Sequence, residues 1–383
     1  MEWWFHIPLA LWTFWILLLG LGVGSFMNVL IARLPYEKSL IWPGSTCFTC
    51  YRKIGLMDNL PIIGYLRLRG RCRKCKAPYS ARYMWVEIFT GLAFVALFWI
   101  EIVANVEDGP KMFSPWLNTP GLKYNYIGLQ ALPHWKAWVY FFSHAALLYG
   151  LLASAIIDAK HKIIPLPITY FGTLLGVVLN VCFPWPFPNT TTDIVQLPAN
   201  KSWMELSLNT SIPNGIAMWP FWGPWPSWAA PGTPMMGLMT GLMGAAAGLA
   251  IGRGIKILFE AGMKRDALGL GDADLLMMAG AFLGWQTISL ALPIGAVLTL
   301  IYLIPLYIVG KIRKKPFDGV PPFGPGIAAG VVVCWLGWPW LGELTRAAYF
   351  DLFTIGILLG VVCVSFLVSG FLLRRGPEPA QPN

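Results

Sequence analysis

The run "LALWTFWILLLGLGVGSFMNVLIARLP", residues 9–35, decides the class of fold because it carries no charged side chain before Arg33. About 20 consecutive apolar residues make one helical crossing of a bilayer. The run lacks the basic start and the small-residue cleavage site of a removable signal peptide, so we expect it to remain as a helix. Comparable apolar runs recur along the chain, and their continuity is typical of membrane helices. The sequence therefore predicts an all-α polytopic membrane protein.

The composition supports this class. Of the 383 residues, 56% are hydrophobic and 12% are charged, whereas charged residues make up about 25% of an ordinary soluble domain. The sixth predicted helix is short for a crossing, so we expect it to be tilted or partly buried in protein. About nine transmembrane helices are predicted, over residues 9–32, 84–105, 137–157, 165–184, 234–258, 272–285, 287–310, 324–342 and 350–373.

The basic residues predict the orientation of these helices. The formal net charge is +10, and 23 of the 28 Lys and Arg residues fall beside segments on one predicted side of the membrane. Cytoplasmic loops carry an excess of Lys and Arg, so this side is predicted to be cytoplasmic. The N-terminus then lies outside and the C-terminus inside. The charge comes with no nucleic-acid motif, so we expect no nucleic-acid partner, whereas anionic membrane lipids are expected to contact this side.

The chain is predicted to have four parts. Residues 1–32 contain the first transmembrane helix, and residues 33–83 form a small cytoplasmic domain between helices 1 and 2. Residues 84–373 form the remaining membrane core, with a Pro- and Trp-rich segment at 185–233 that we interpret as an outer cap or spacer. The tail, residues 374–383, is predicted to be disordered.

Four cysteines in the cytoplasmic segment form a metal-binding pattern. Cys47, Cys50, Cys72 and Cys75 read C-x2-C-x21-C-x2-C, which is close to the spacing of zinc ribbons. Four protein thiolates complete the tetrahedral coordination of one zinc ion, so we expect a structural zinc site. Redox-active cysteines are the alternative, but disulfides are disfavoured on the cytoplasmic side.

Two aspartates at predicted cytoplasmic helix ends are the candidate catalytic residues. Asp158 ends "SAIID", and Asp272 lies in "GLGDADLL", residues 269–276. A carboxylate near the bilayer costs several kcal/mol, which suggests a function. Two neighbouring carboxylates that share one proton can act as base and acid in peptide hydrolysis. Gly269 and Gly271 are interpreted as allowing a sharp turn and the close approach of a substrate backbone.

Several stretches together, in this order, resemble the prepilin peptidases (type IV leader peptidases), which are GxGD intramembrane aspartyl proteases of bacterial inner membranes. They are "GVGSFMNVLIARLP", the cysteine segment through "DNLPIIGYLRLRGRCRKCKAPYSARYMWVEIFTG", "IIDAKHKIIP", "GLGDADLL" and "FGPG". By this resemblance Asp158 and Asp272 form the catalytic dyad, and Gly269 and Gly271 belong to the second motif. The family usually has Lys two residues after the second catalytic Asp, where this chain has Asp274. Asp274 is therefore not assigned a catalytic role, and we expect it to be a solvated or helix-capping acid.

The resemblance implies cleavage of the basic leader from type IV prepilin or pseudopilin precursors, in pilus assembly or type II secretion. The cut is expected at the cytoplasmic face, followed by N-methylation of the new N-terminus from S-adenosylmethionine. A member with peptidase activity alone is one alternative. A proton-coupled transporter that uses the buried aspartates is another, but we expect no buried charge near the outer face and see no inverted repeat.

Overall fold

The structure is a computed structural model, and it describes residues 7–42, 44–103, 135–184, 187, 227–263, 269–312, 322–338, 340–341, 344–345 and 352–373. Within these ranges there are helices and no strands, so the predicted all-α class is confirmed. The chain divides into two compact units, residues 1–165 and 166–383. Within the described ranges, the α-helices whose bounds can be given are α1 (Ile7–Arg33), α2 (Ile63–Leu68), α3 (Arg82–Phe98), α4 (Trp135–His161), α5 (Leu166–Cys182), α6 (Pro234–Met263), α7 (Leu270–Leu283), α8 (Trp285–Ile312), α9 (Gly324–Leu336) and α10 (Leu352–Leu373).

The first unit packs α1 against α3, and the four-cysteine domain lies between these helices in sequence. Glycine permits the close crossing, because a Cβ at Gly24 would lie 2.9 Å from the Cα of Glu87. Two side chains of α1 then fasten the start of the domain and the start of α3. Asn28 donates to the carbonyl of Tyr83 over 2.9 Å, and Arg33 donates to the carbonyl of Ser39 over 2.8 Å.

The second unit is built around α7, which packs against α5 and most extensively against α6. The α6 face toward α7 carries a glycine every four residues: Gly244, Gly248 and Gly252. Any side chain there would meet the α7 backbone, so the two helices lie in backbone contact, as small residues allow in membrane helices. The first residues of α9 pack on α8 in the same way, through Gly326 and Gly295.

Each of the nine predicted membrane helices corresponds to a helix of the structure. In the part of the chain that the structure describes, five helical stretches are long and apolar enough to cross a membrane: Leu9–Tyr36, Arg82–Val103, Trp138–His161, Pro234–Leu258 and Trp285–Pro305. Helices α5 and α9 are apolar but shorter, and α10 contributes a short apolar stretch, Gly356–Ser365. The number of crossings therefore stays a prediction. Most of the 185–233 segment and the tail at 374–383 lie outside the described residues.

Candidate active site and four-cysteine cluster

Asp272 lies in the first turn of α7, and its side chain is buried. The positive end of the helix dipole favours a carboxylate at this position. Gly269 precedes the helix with φ −67 and ψ 140, an extended conformation that needs no glycine. The backbone of Gly269 therefore gives no conformational reason for a glycine, and the sharp turn stays a prediction. Gly269 contributes space instead, because a Cβ there would lie 3.4 Å from Oδ2 of Asp272. Gly271 is the second residue of α7.

Asp274 is neither solvated nor a helix cap, so that expectation is wrong. It is 2% exposed, and its Oδ1 lies 3.8 Å from Nη2 of Arg253 on α6. The glycine at position 252 brings the α6 backbone against Ala273, which places Arg253 beside the start of α7. A buried carboxylate is tolerated when a cation accompanies it, which explains why this acid lies inside the helix pair.

Asp158 lies in the last turn of α4, in the first unit, and it is buried like Asp272. The helix ends soon after it, where Lys162 adopts φ 56 and donates its N–H to the carbonyl of Asp158 over 2.8 Å. Ser154 lies one helical turn before Asp158, so the two side chains share a face of α4. The Ser154 hydroxyl is fully buried and has no hydrogen-bond partner among the described residues. Ser154 was not predicted from the sequence, although its spacing of four residues from Asp158 is the spacing that places two side chains on one helix face.

The four cysteines come together in two turns of matching geometry. The N–H of Tyr51 donates to the carbonyl of Cys47, and the N–H of Lys76 donates to that of Cys72, over 2.9 and 3.0 Å. Tyr51 and Lys76 both have positive φ, 56° and 59°. All four sulfur atoms lie within 4.8 Å of one another, so the cluster could hold a metal ion. Sγ of Cys47 and Sγ of Cys75 are 3.8 Å apart, which is the edge of a tetrahedron with metal–sulfur bonds of about 2.3 Å.

The backbone prepares two of these thiols as ligands. The N–H groups of Cys50 and Thr49 point at the Cys47 sulfur and lower the pKa of that thiol to about 6. The N–H groups of Cys75 and Lys74 lower the pKa of Cys72 in the same way. A thiolate is the form that binds a metal ion, so these amides favour metal binding.

Glu87 joins the four-cysteine domain to the membrane helices. Its side chain is largely buried on α3, and its Oε2 accepts the N–H of Ile62 over 2.8 Å. Ile62 has φ 60 and ψ −53, and the N–H of Ile63 bonds back to Pro61, which makes a strained γ-turn. The carboxylate of Glu87 holds this turn at the start of α2. Part of the motif that carries the family resemblance thus has a structural role.

A buried pair of ionisable side chains lies in the first unit. Nδ1 of His144 on α4 is 2.6 Å from Oε1 of Glu101, in the π-helical turn Trp99–Val103 that continues α3. Glu101 is 1% exposed, and the ring of Tyr140 covers His144. The pair lies toward the predicted outer end of α3, so ionisable side chains are buried there. The absence of buried charge near the outer face stays a prediction. An ionisable residue in each apolar run was the available signal.

Comparison with known proteins gives a family to these features. The model described as Bacterial Peptidase A24 N-terminal domain matches residues 18–100. The model described as Type IV leader peptidase family matches residues 209–304, which include Asp272. Both matches support the type IV leader peptidase family for this chain. The first match spans most of α1, the four cysteines and α3, and Asp158 lies between the two matched regions.

Several relatives of this chain carry the name prepilin leader peptidase/N-methyltransferase. The protein from Pseudomonas putida is 26% identical over 363 residues, which cover 85% of this chain and 95% of that protein. The one from Pseudomonas aeruginosa is 26% identical over 86% of this chain and 91% of that protein. The one from Myxococcus xanthus is 29% identical over 73% of this chain and 58% of that protein. No solved structure matches. The family and the apolar helices identify a multi-pass protein of the bacterial inner membrane.

Proposed function

We propose that this leader peptidase is an intramembrane aspartic endopeptidase that removes the leader from prepilin or pseudopilin precursors. The observation that carries the proposal is the burial of Asp272 in the first turn of α7, inside the region matched by the peptidase family. Asp158, buried at the predicted cytoplasmic end of α4, is proposed as its catalytic partner. The names of the relatives support the class of substrate.

The chemistry proposed for the pair needs no covalent intermediate. One carboxylate, ionised, takes a proton from water, and the water oxygen attacks the carbonyl carbon of the scissile peptide. The other carboxyl, protonated, gives its proton to the leaving nitrogen as the C–N bond breaks. Two acids that share one proton are poised for these roles, because the first charge raises the pKa of the second.

Cys47, Cys50, Cys72 and Cys75 are proposed to hold one structural zinc ion. Their sulfur separations suit tetrahedral thiolate coordination, and four protein ligands leave no position for a substrate. The domain between α1 and α3 contains only short elements. Metal binding is therefore expected to supply much of its folding free energy.

N-methylation of the processed N-terminus, with S-adenosylmethionine as the methyl donor, is the second proposed activity. The relatives' names include it, and the four-cysteine domain of this chain is intact. The active site and the domain are proposed to face the cytoplasm, with the N-terminus outside. A processed product without the methyl group, with S-adenosylmethionine supplied, would make this member a peptidase alone.

The decisive experiment is cleavage of a prepilin-like peptide by purified protein in detergent. Asp158→Asn and Asp272→Asn are each expected to abolish cleavage, because one carboxylate cannot be base and acid at once. The double variant should lose no more, since residues that act as a unit are not additive. Both proteins should stay folded. Normal cleavage by either single variant would overturn the dyad, and the need for a sealed membrane would favour the transporter.

A further inference from the structure

Residues 54–69 of the four-cysteine domain expose apolar side chains to an unusual degree for a polar, metal-binding domain. Leu56 is 86% exposed, and five other large apolar side chains of this stretch are exposed: Ile54, Met57, Leu60, Ile63 and Leu66. The turn Leu56–Asp58 packs directly on α2, because a Cβ at Gly64 would meet the carbonyl of Asp58. The exposed side chains of the turn and of α2 therefore belong to one small structural element.

The hydrogen bond from Ile62 to Glu87 sets the depth of this element relative to a membrane. Glu87 lies five residues into the apolar stretch Arg82–Val103, which is about 7.5 Å along a helix. The hydrocarbon core is about 30 Å thick, and headgroup layers flank it. With Arg82 at the edge of the hydrocarbon core, the start of α2, bonded to Glu87 over 2.8 Å, is expected at or just inside the level where headgroups meet acyl chains. Ile63 and Leu66 follow at once.

The charge of the same region matches a negatively charged surface. Residues 33–82 carry eleven Lys and Arg against two acids, Glu37 and Asp58. Arg67 and Arg69 are exposed and alternate with the apolar side chains of α2. Apolar side chains beside exposed arginines are typical of segments that lie in the interface of anionic membranes. The basic leader of the proposed substrate would be repelled by this charge.

We propose that residues 54–69 form an interfacial segment that inserts its apolar side chains into the headgroup and acyl boundary of an anionic bilayer. The segment anchors the four-cysteine domain to the membrane surface beside α3. Arg67 and Arg69 bind lipid phosphates there. This contact is separate from the proposed peptidase chemistry.

Photo-crosslinking of the full chain tests the contact. Two variants carry benzoylphenylalanine, one in place of Leu56 and the other in place of Ile63. Each variant is reconstituted in nanodiscs that contain phosphatidylglycerol, with one protein copy per disc. Irradiation is expected to add the mass of a phospholipid at both positions. Absence of lipid adducts would overturn the proposal. So would adducts to a second copy in proteoliposomes, or adducts that form only when a prepilin is added.

Hydrogen exchange tests the charge. The amides of residues 54–69 are expected to exchange several-fold more slowly in nanodiscs with phosphatidylglycerol than in nanodiscs of phosphatidylcholine alone. The double variant Arg67→Glu, Arg69→Glu should lose this difference. The matched double variant Arg52→Glu, Lys53→Glu makes the same change of charge outside the segment and should keep it. Loss in both variants, with metal content unchanged, would assign the effect to net charge and overturn the proposal.

Discussion

Two acids of α7 lie close together in the chain but have different surroundings. Asp272 is proposed to react, whereas Asp274 is buried beside a cation. Asp274 lies two positions later on α7 and is paired with Arg253, which is about half exposed. Removing the carboxylate leaves a cation that water can still reach. Removing the guanidinium leaves a buried carboxylate without its counter-charge. The two substitutions therefore have different expected effects.

Asp274→Asn should cost about 1 kcal/mol or less of stability, because the pair is loose and partly solvated. It should lower kcat/KM by less than about tenfold, since Asp274 is not a member of the proposed dyad. Arg253→Gln should cost more, about 1–3 kcal/mol. Denaturant unfolding of the two single variants and the double variant measures the coupling. Equal costs, or additive ones, would contradict a specific pair.

Metal binding can be tested at a single cysteine. Cys47→Ser should remove the bound zinc, because serine replaces a thiolate whose pKa the backbone amides lower to about 6. Elemental analysis is expected to give about one zinc per chain for the parent protein. Cys363→Ser, on α10 and outside the cluster, is the matched control and should keep the metal. Equal zinc content in both variants would contradict the assignment of Cys47 as a zinc ligand.

At the scale of elements, the crossing of α6 and α7 positions Asp272, and it depends on glycine. Gly248 faces the backbone of Leu276, where a methyl group has no room, whereas a Cβ at Gly254 on the same helix would meet nothing within 4 Å. The two glycines lie six positions apart on the same helix, so the same substitution can be compared at both sites.

Gly248→Ala should push the helices apart, destabilise the second unit by about 1–3 kcal/mol and lower cleavage, because α7 carries Asp272. Gly254→Ala should leave cleavage unchanged and stabilise the helix by up to about 1 kcal/mol. Thermal unfolding and peptide cleavage on both proteins check this. Similar behaviour of the two variants would show that the backbone contact does not control the site.

At the scale of the whole molecule, the two compact units separate the metal cluster from Asp272. All four cysteines of the cluster lie in the first unit, whereas Asp272, Asp274 and Arg253 lie in the second. Asp158 belongs to the first unit. Loss of the metal is therefore expected to destabilise the cysteine segment of the first unit.

Chelation of the zinc should therefore raise hydrogen exchange across residues 45–79 and leave the amides of α6 and α7 protected. The reason is that the metal supplies folding free energy to the segment that holds it. Exchange of the full-length protein, with and without a strong chelator, gives the measurement. Uniform deprotection of both units would show that they unfold as one body.

The sequence by itself determined the features that depend on neighbours along the chain. Apolar run length predicted α1 and α3 to α10 but not the short helix α2. The spacing of Cys47, Cys50, Cys72 and Cys75 predicted their cluster, because each CxxC turn presents two thiols locally. Tertiary structure alone decided the pairing of Asp274 with Arg253, of Glu101 with His144 and of Glu87 with Ile62. These contacts join residues 21 to 43 positions apart in the chain, and helical periodicity carries no information on which faces of two helices meet. The solvated Asp274 was mispredicted for this reason, since burial depends on the glycine face of α6 that covers it.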